Sequence, residues 1–276
     1  MTRAVRAGMD FISALDRGSL GGLARLCATG ATWWVDTGPD RRGGDPQLSP
    51  HGSGRFPLHG VMRMDDKLAL MRRLGPTAFP TGCRQIPRRV VAGDDTCVIE
   101  VEGHGVHASG VEYANRYGFV FDVDATGAIV AVREYLDTVH AQQVVGGGAP
   151  VPRSSLDHPV AGDAPDPGDP PPAVAAALAM WPALARGDLD TFGGHRSPAV
   201  TVTPRRWIAD DTLVAVEAVG DAVLADGARY QNRYLWIVEV RADGIGEVRE
   251  YCDTLHIADL MGFDAEVGRR TGEEPG

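Results

Sequence analysis

Lysine is almost absent from this chain. Lys67 is the only one, and all other side-chain positive charge is arginine apart from histidine. The arginines cluster no further than pairs (Arg72-Arg73, Arg88-Arg89, Arg205-Arg206), and the formal net charge is -10. Nucleic acid and anionic membrane surfaces call for a clustered basic face, so neither is expected as a partner. Cysteine is scarce as well. Cys27, Cys83, Cys97 and Cys252 show no CxxC or other metal-ligand spacing, and a chain of 276 residues needs no disulfide framework. Reduced thiols, a cytoplasmic location and no metal are the expectations. No apolar run approaches the roughly 20 residues of a membrane span, and MTRAVRAGMDFISALDRG lacks the apolar stretch of a signal peptide. Dinucleotide fingerprints, P-loops, GxSxG and HExxH are all missing, so no cofactor is expected.

What the chain does contain is an internal repeat. Tyr113 to His140, YANRYGFVFDVDATGAIVAVREYLDTVH, returns as Tyr230 to His256, YQNRYLWIVEVRADGIGEVREYCDTLH. Each copy reads as an aromatic strand, a tight turn and a second strand with an acidic and aromatic end. Pro87-Arg88-Arg89 and Tyr117 recur 117 residues later, whereas Leu15-Asp16-Arg17-Gly18 recurs as Leu184-Ala185-Arg186-Gly187, 169 residues later. The second unit is therefore 52 residues shorter between these landmarks. The missing part corresponds to the Trp33-Trp34 strand, the Gly/Pro-rich loop Arg41 to Leu58 and a second helix.

Four segments follow: a complete unit over 1–145, a Gly/Pro-rich linker over 146–172, a truncated unit over 173–267 and a frayed tail over 268–276. In the first unit the apolar spacing predicts a helix from Val5 to Leu26, broken or bent near Gly18, then the strand ATWWVD over Ala31 to Asp36. Val61, Met64, Leu68 and Met71 predict a second helix, and strands dominate from Arg84 onward. The loop before Val61 has the length of a lid or binding loop. Val174, Leu178 and Trp181 predict a helix that Pro182 kinks or ends. Helices followed by antiparallel strands give an α+β class.

The helix break at Arg17-Gly18-Ser19-Leu20, then WWVD, NRYGFVF and REYLDT, in that order, resembles the SnoaL-like proteins of the nuclear transport factor 2-like superfamily. That group also holds the ketosteroid isomerases and limonene epoxide hydrolase. The resemblance implies two cones, each a curved antiparallel sheet wrapped on helices, with an apolar pocket in the complete copy. Family members usually pair sheet to sheet, so it also implies an intramolecular pseudo-dimer, with a homodimer of whole chains left open.

Asp36 falls where the isomerases keep their general base. Beside Trp34 it would be partly desolvated and raised toward a useful pKa, although Asp in DTGPD also suits a turn. Tyr117 shares a strand face with Tyr113, Asn115 and Phe119, and the resemblance gives it the role of donor to a developing enolate oxygen. A core tyrosine with a satisfied hydroxyl is the alternative. Phe11 stands where those isomerases have a second donor tyrosine. Glu134 matches the carboxylate on the last strand of limonene epoxide hydrolase, but the Arg-Asp pair that enzyme also needs is replaced by Glu102-Gly103-His104. Glu102 and His104 share a face and could form an acid/base pair with Glu134. His104 and His107 point to opposite faces, which argues against a shared metal.

Asp36 and His104 have no like residue in the second copy, which marks them as chemistry-specific. Tyr117/Tyr234 and Glu134/Glu250 occur in both. The expected activity is cofactor-free acid/base catalysis (ring closure, isomerisation or epoxide opening) on an apolar cyclic or polyketide-like molecule, in bacterial secondary metabolism. A small-molecule carrier and a pseudo-dimeric scaffold are the alternatives.

Overall fold

The computed structural model describes residues 1–35, 60–146, 171–185, 200–223, 227 and 229–261. Helix α1 (Arg3–Asp16) turns one face inward, burying Ala4, Ala7, Phe11, Ile12 and Ala14. Thr2 caps it by accepting a hydrogen bond from the Val5 N–H at 3.3 Å. At Gly18 φ is 63°, which strains any side chain, so the helix stops and α2 (Leu20–Leu26) restarts it.

Strand β1 (Cys27–Val35) follows, and β2 (Gly60–Arg63) pairs with it. The helix expected from Val61 begins three residues later, as α3 (Met64–Ala78), because Val61 is taken up by β2; Asp65 and Asp66 occupy the favourable first turn. Then come β3 (Cys83–Ala92), β4 (Thr96–Val106), β5 (Glu112–Val123), β6 (Ile129–Leu136) and α4 (Thr138–Val145). The sheet order is β2-β1-β6-β5-β4-β3, with β1 parallel to β6 and the other neighbours antiparallel. Helix α1 lies against the inner face, so close that a Cβ on Gly8 would sit 2.8 Å from Ile99 Cδ1 and 2.9 Å from Phe121 Cδ2.

The second unit has α5 (Pro172–Ala185), β7 (Thr201–Ala209), β8 (Leu213–Val223), β9 (Arg229–Arg241), β10 (Gly244–Cys252) and α6 (Thr254–Met261), in the sheet order β10-β9-β8-β7. Helix α5 continues past Pro182, which therefore does not end it. The two sheets match in register. Tyr117 pairs with Val101 and Tyr234 with Ala218, and the irregularity between Pro87 and Arg89 returns between Pro204 and Arg206. Among the described residues no counterpart of β1, β2 or α3 follows α5. The lid-like loop and nearly all of the linker and tail lie outside the described residues, as does Asp36.

The two sheets pack face to face. Trp34, Val98, Val120 and Tyr135 from the first meet Ile208, Ala215, Leu235 and Ile237 from the second in one buried cluster. Reciprocal polar contacts surround it. Arg133 and Tyr135 bond Glu217, while the matching Arg249 and Tyr251 bond Glu100. Beyond the strand ends, Thr138 donates to Asp253 at 2.6 Å and Thr254 donates to Asp137 at 2.7 Å. The same two aspartates cap α4 and α6 through the N–H groups of His140 and His256. Each of these contacts from the first unit thus has a matching one from the second.

No helix among the described residues is long and apolar enough to cross a membrane.

Candidate functional site

The REY motif of β6 is divided by strand alternation. Arg133 and Tyr135 turn to the second sheet, while Val132 and Leu136 join the first cone's core, and Glu134 lies on that inner side with them. Trp33, brought alongside by the parallel β1–β6 pairing, donates its indole N–H to Glu134 Oε2 at 2.8 Å. From α3, Lys67 places its Nζ 5.0 Å from the centre of the same indole, with only 1% of its surface exposed. Desolvation pushes the Lys67 ammonium down to about 8, against the opposing pull of Glu134. Glu134 is raised by desolvation, against the pull of Lys67 and the indole hydrogen bond. The chain's one lysine thus lies buried over the indole that binds Glu134, where the two charges act on each other inside the first cone.

Tyr113 and Tyr117 join this inner face. Their hydroxyls are 2.7 Å apart, and Asn115 Nδ2 donates to Tyr113 at 3.2 Å and to the Asp137 carbonyl at 3.0 Å. Burial raises both phenols, Tyr117 well above the ordinary range, so both hold their protons at neutral pH. Phe119 stacks against Tyr117, with ring centres 5.4 Å apart. Phe11 packs edge-on against Trp33 and Phe121 at 5.1 and 5.2 Å. Gln85 and Cys83 of β3 complete this side, and burial pushes the Cys83 thiol up to about 11.

Of the residues expected from sequence, Phe11, Tyr113, Asn115, Tyr117, Phe119 and Glu134 are therefore brought together on the inner face. Three expectations need correction. Trp34 does not line the cone; it stacks edge-on with Tyr135 at 4.9 Å in the cluster between the sheets. A shift of one residue along a strand exchanges faces, and Trp33 is the inward one. Glu102 and His104 do share a face, but it is the outer one. Val101 and Gly103 point inward, Gly103 beneath the Tyr117 ring, so their neighbours point out. There Glu102 is held by Arg88 at 2.6 Å, and His104, half exposed, lies 3.8 Å from Glu102. Neither joins Glu134. Sequence reasoning missed Trp33, Lys67 and Gln85. Only Lys67 had a signal, its being the sole lysine.

The second unit supplies an internal comparison. Tyr230 and Tyr234 repeat the hydroxyl pair, and Asn232 again bonds the strand-end carbonyl, that of Asp253. Glu250 again accepts from an indole, at 2.7 Å, but the donor is Trp236 on β9, in the register position of Phe119. With no β1 counterpart among the described residues, the donor comes from the neighbouring strand instead. Lysine has no equivalent in this unit. Among the described residues, no cluster of three His, Cys, Asp or Glu side chains could hold a metal.

No protein-family model matches the chain, and no curated protein does. Solved structures do. An NTF2-like protein of unknown function from Burkholderia pseudomallei K96243 aligns at 18% identity and TM-score 0.41, covering 53% of this chain and 100% of that one. A SnoaL-like polyketide cyclase, so described provisionally, from Jannaschia sp. CCS1 aligns at 10% and 0.39, covering 53% and 93%. An LEH-like epoxide hydrolase from M. tuberculosis aligns at 17% and 0.36, covering 52% and 89%. The likeness to these structures is one of fold. Each of these alignments spans about half of the chain.

Proposed function

We propose that the first unit is a cofactor-free acid/base enzyme acting on an apolar, carbonyl-bearing small molecule of cyclic or polyketide-like character, in the cytoplasm. The observation that carries this reading is the buried Lys67 over the Trp33 indole, whose N–H holds the Glu134 carboxylate. Opposed shifts of a neighbouring acid and base toward neutrality suit proton transfer at physiological pH. Glu134 takes a proton from carbon next to the carbonyl, or from an attacking hydroxyl, and returns it later. Lys67 balances the charge on Glu134. Asn115, Tyr113 and Tyr117 can form a donor chain, Asn115 to Tyr113 to Tyr117, that leaves the Tyr117 proton for the oxygen on which charge develops. Asp36, next in sequence after β1, is proposed as a second carboxylate. His104 has no part in this relay. Ring closure, double-bond isomerisation and epoxide opening are the chemistries that fit.

Glu134→Gln and Lys67→Met should each reduce turnover of such a substrate by about 100-fold or more. Unchanged turnover in both would end the proposal. A carrier is the second reading, favoured because Phe11 offers no donor and because the tyrosine pair recurs in the second unit. A carrier would bind the same molecules in saturable fashion and release them unaltered.

A further inference from the structure

Gln85 is about nine-tenths buried, and its side-chain oxygen Oε1 has no hydrogen-bond partner among the described residues. Its amide nitrogen is committed, facing the Cys83 carbonyl and sulfur at 3.4 Å each, which fixes the orientation of the amide and leaves the acceptor over. The backbone at this point is held firmly, since the Gln85 N–H donates to Asp16 Oδ1 at 2.8 Å. Gln85 pairs with Gly103 in the sheet, and both lie on the cone's inner face. A Cβ built on Gly103 would lie 2.6 Å from Tyr117 Cε2, 3.1 Å from Tyr117 Oη and 3.3 Å from Gln85 Nε2. The glycine therefore seats the Tyr117 ring directly beside the Gln85 amide.

The matching register in the second unit makes this informative. Gly220 seats Tyr234 in the same way, but the residue paired with Gly220 is Val202. The fold accommodates an apolar side chain here, so the amide of Gln85 is not needed to build the sheet. A buried acceptor without a donor is costly, and such groups persist where something brings the donor.

We infer that Gln85 is a ligand-recognition residue, accepting a hydrogen bond from a hydroxyl or enol on the molecule that Tyr117 also contacts. The class of ligand is thereby narrowed to hydroxylated or enolisable apolar rings. This rests on the first cone being the ligand-bearing one, but it concerns binding and not turnover, so it can fail while the acid/base reading stands, and the reverse.

The full chain would be tested by equilibrium dialysis with 2-naphthol and 2-methylnaphthalene. These share a ring system and differ in the donor. The wild type should prefer 2-naphthol by about tenfold or more, as expected when one of two ligands leaves a buried acceptor unpaired. Gln85→Val, the residue the second unit uses, should bring the ratio near one by weakening 2-naphthol alone. Gln85→Met, which keeps the chain length, should do the same and guards against a folding defect in the valine variant. No binding of 2-naphthol by the wild type, or a preference that survives in both variants, would overturn the assignment.

Discussion

Arg133 grips Glu217 across the two sheets, Nε on Oε1 at 2.7 Å and Nη2 on Oε2 at 3.0 Å, with 1% and 0% of the side chains exposed. Its counterpart Arg249 holds Glu100 from the other side at 2.6 Å but keeps 17% exposure, and Glu247 also holds it at 2.7 Å. Removing one partner of a buried pair strands the other charge, at a cost of about 3–5 kcal/mol. Asp122 remains bonded to Arg133, so Glu217→Ala should cost about 3 kcal/mol, toward the low end of that range. Glu100→Ala should cost less, because Arg249 is better hydrated. Urea unfolding of both variants checks the order.

The sheets approach closely where Gly118 meets Leu235, and a Cβ there would collide with the Leu235 Cδ2. Gly118→Ala should destabilise the chain by about 1–3 kcal/mol, the usual cost of overpacking. Combined with Leu235→Ala, the loss should be smaller than the sum of the two single losses, because the clash disappears with the leucine. Simple additivity in the unfolding midpoints would count against this packing.

Much of the fold was legible because the repeat is a repeat of scaffold letters. Arg, Tyr, Asp and Thr of REY-x-DT form the reciprocal contacts between the units, so they recur in both. Faces were harder to read. From Thr96 to Val101 every residue of β4 is buried, one set against α1 and the other against the second sheet. A strand covered on both sides gives no polarity pattern to tell inside from outside. That is why alternation puts Glu102 with His104 on one face without telling which face it is, and does not separate Trp33 from Trp34. Lys67 depends on how α3 is rotated against β1, a tertiary relation that helical spacing within α3 does not contain.

Lys67 should leave a mark on stability against pH. Its folded value of about 8 lies below the ordinary 10.5, so the unfolded chain binds the proton more tightly between those values. Stability contributed by this group therefore rises as pH increases from about 8 to 10.5. The buried tyrosines act in the opposite sense above pH 10, so the comparison must be with Lys67→Met. The difference in unfolding free energy, wild type minus variant, should increase across that window and stay flat in its absence.

Trp33→Phe removes the donor that favours the Glu134 carboxylate and should raise that carboxyl further. If turnover needs the ionised form, the acidic limb of the pH–rate profile moves to higher pH while the plateau changes less. A profile unchanged on the acid side would separate Glu134 from the titrating group.

The most direct test uses the single lysine. In protein labelled with 13C at the lysine Cε, the lysine signal is Lys67 alone, and its titration can be followed by NMR without assignment. A midpoint near 8, falling further in Glu134→Gln as the carboxylate's pull is lost, is the result expected of a buried acid/base pair. A midpoint near 10.5 that ignores the Glu134 substitution would contradict it.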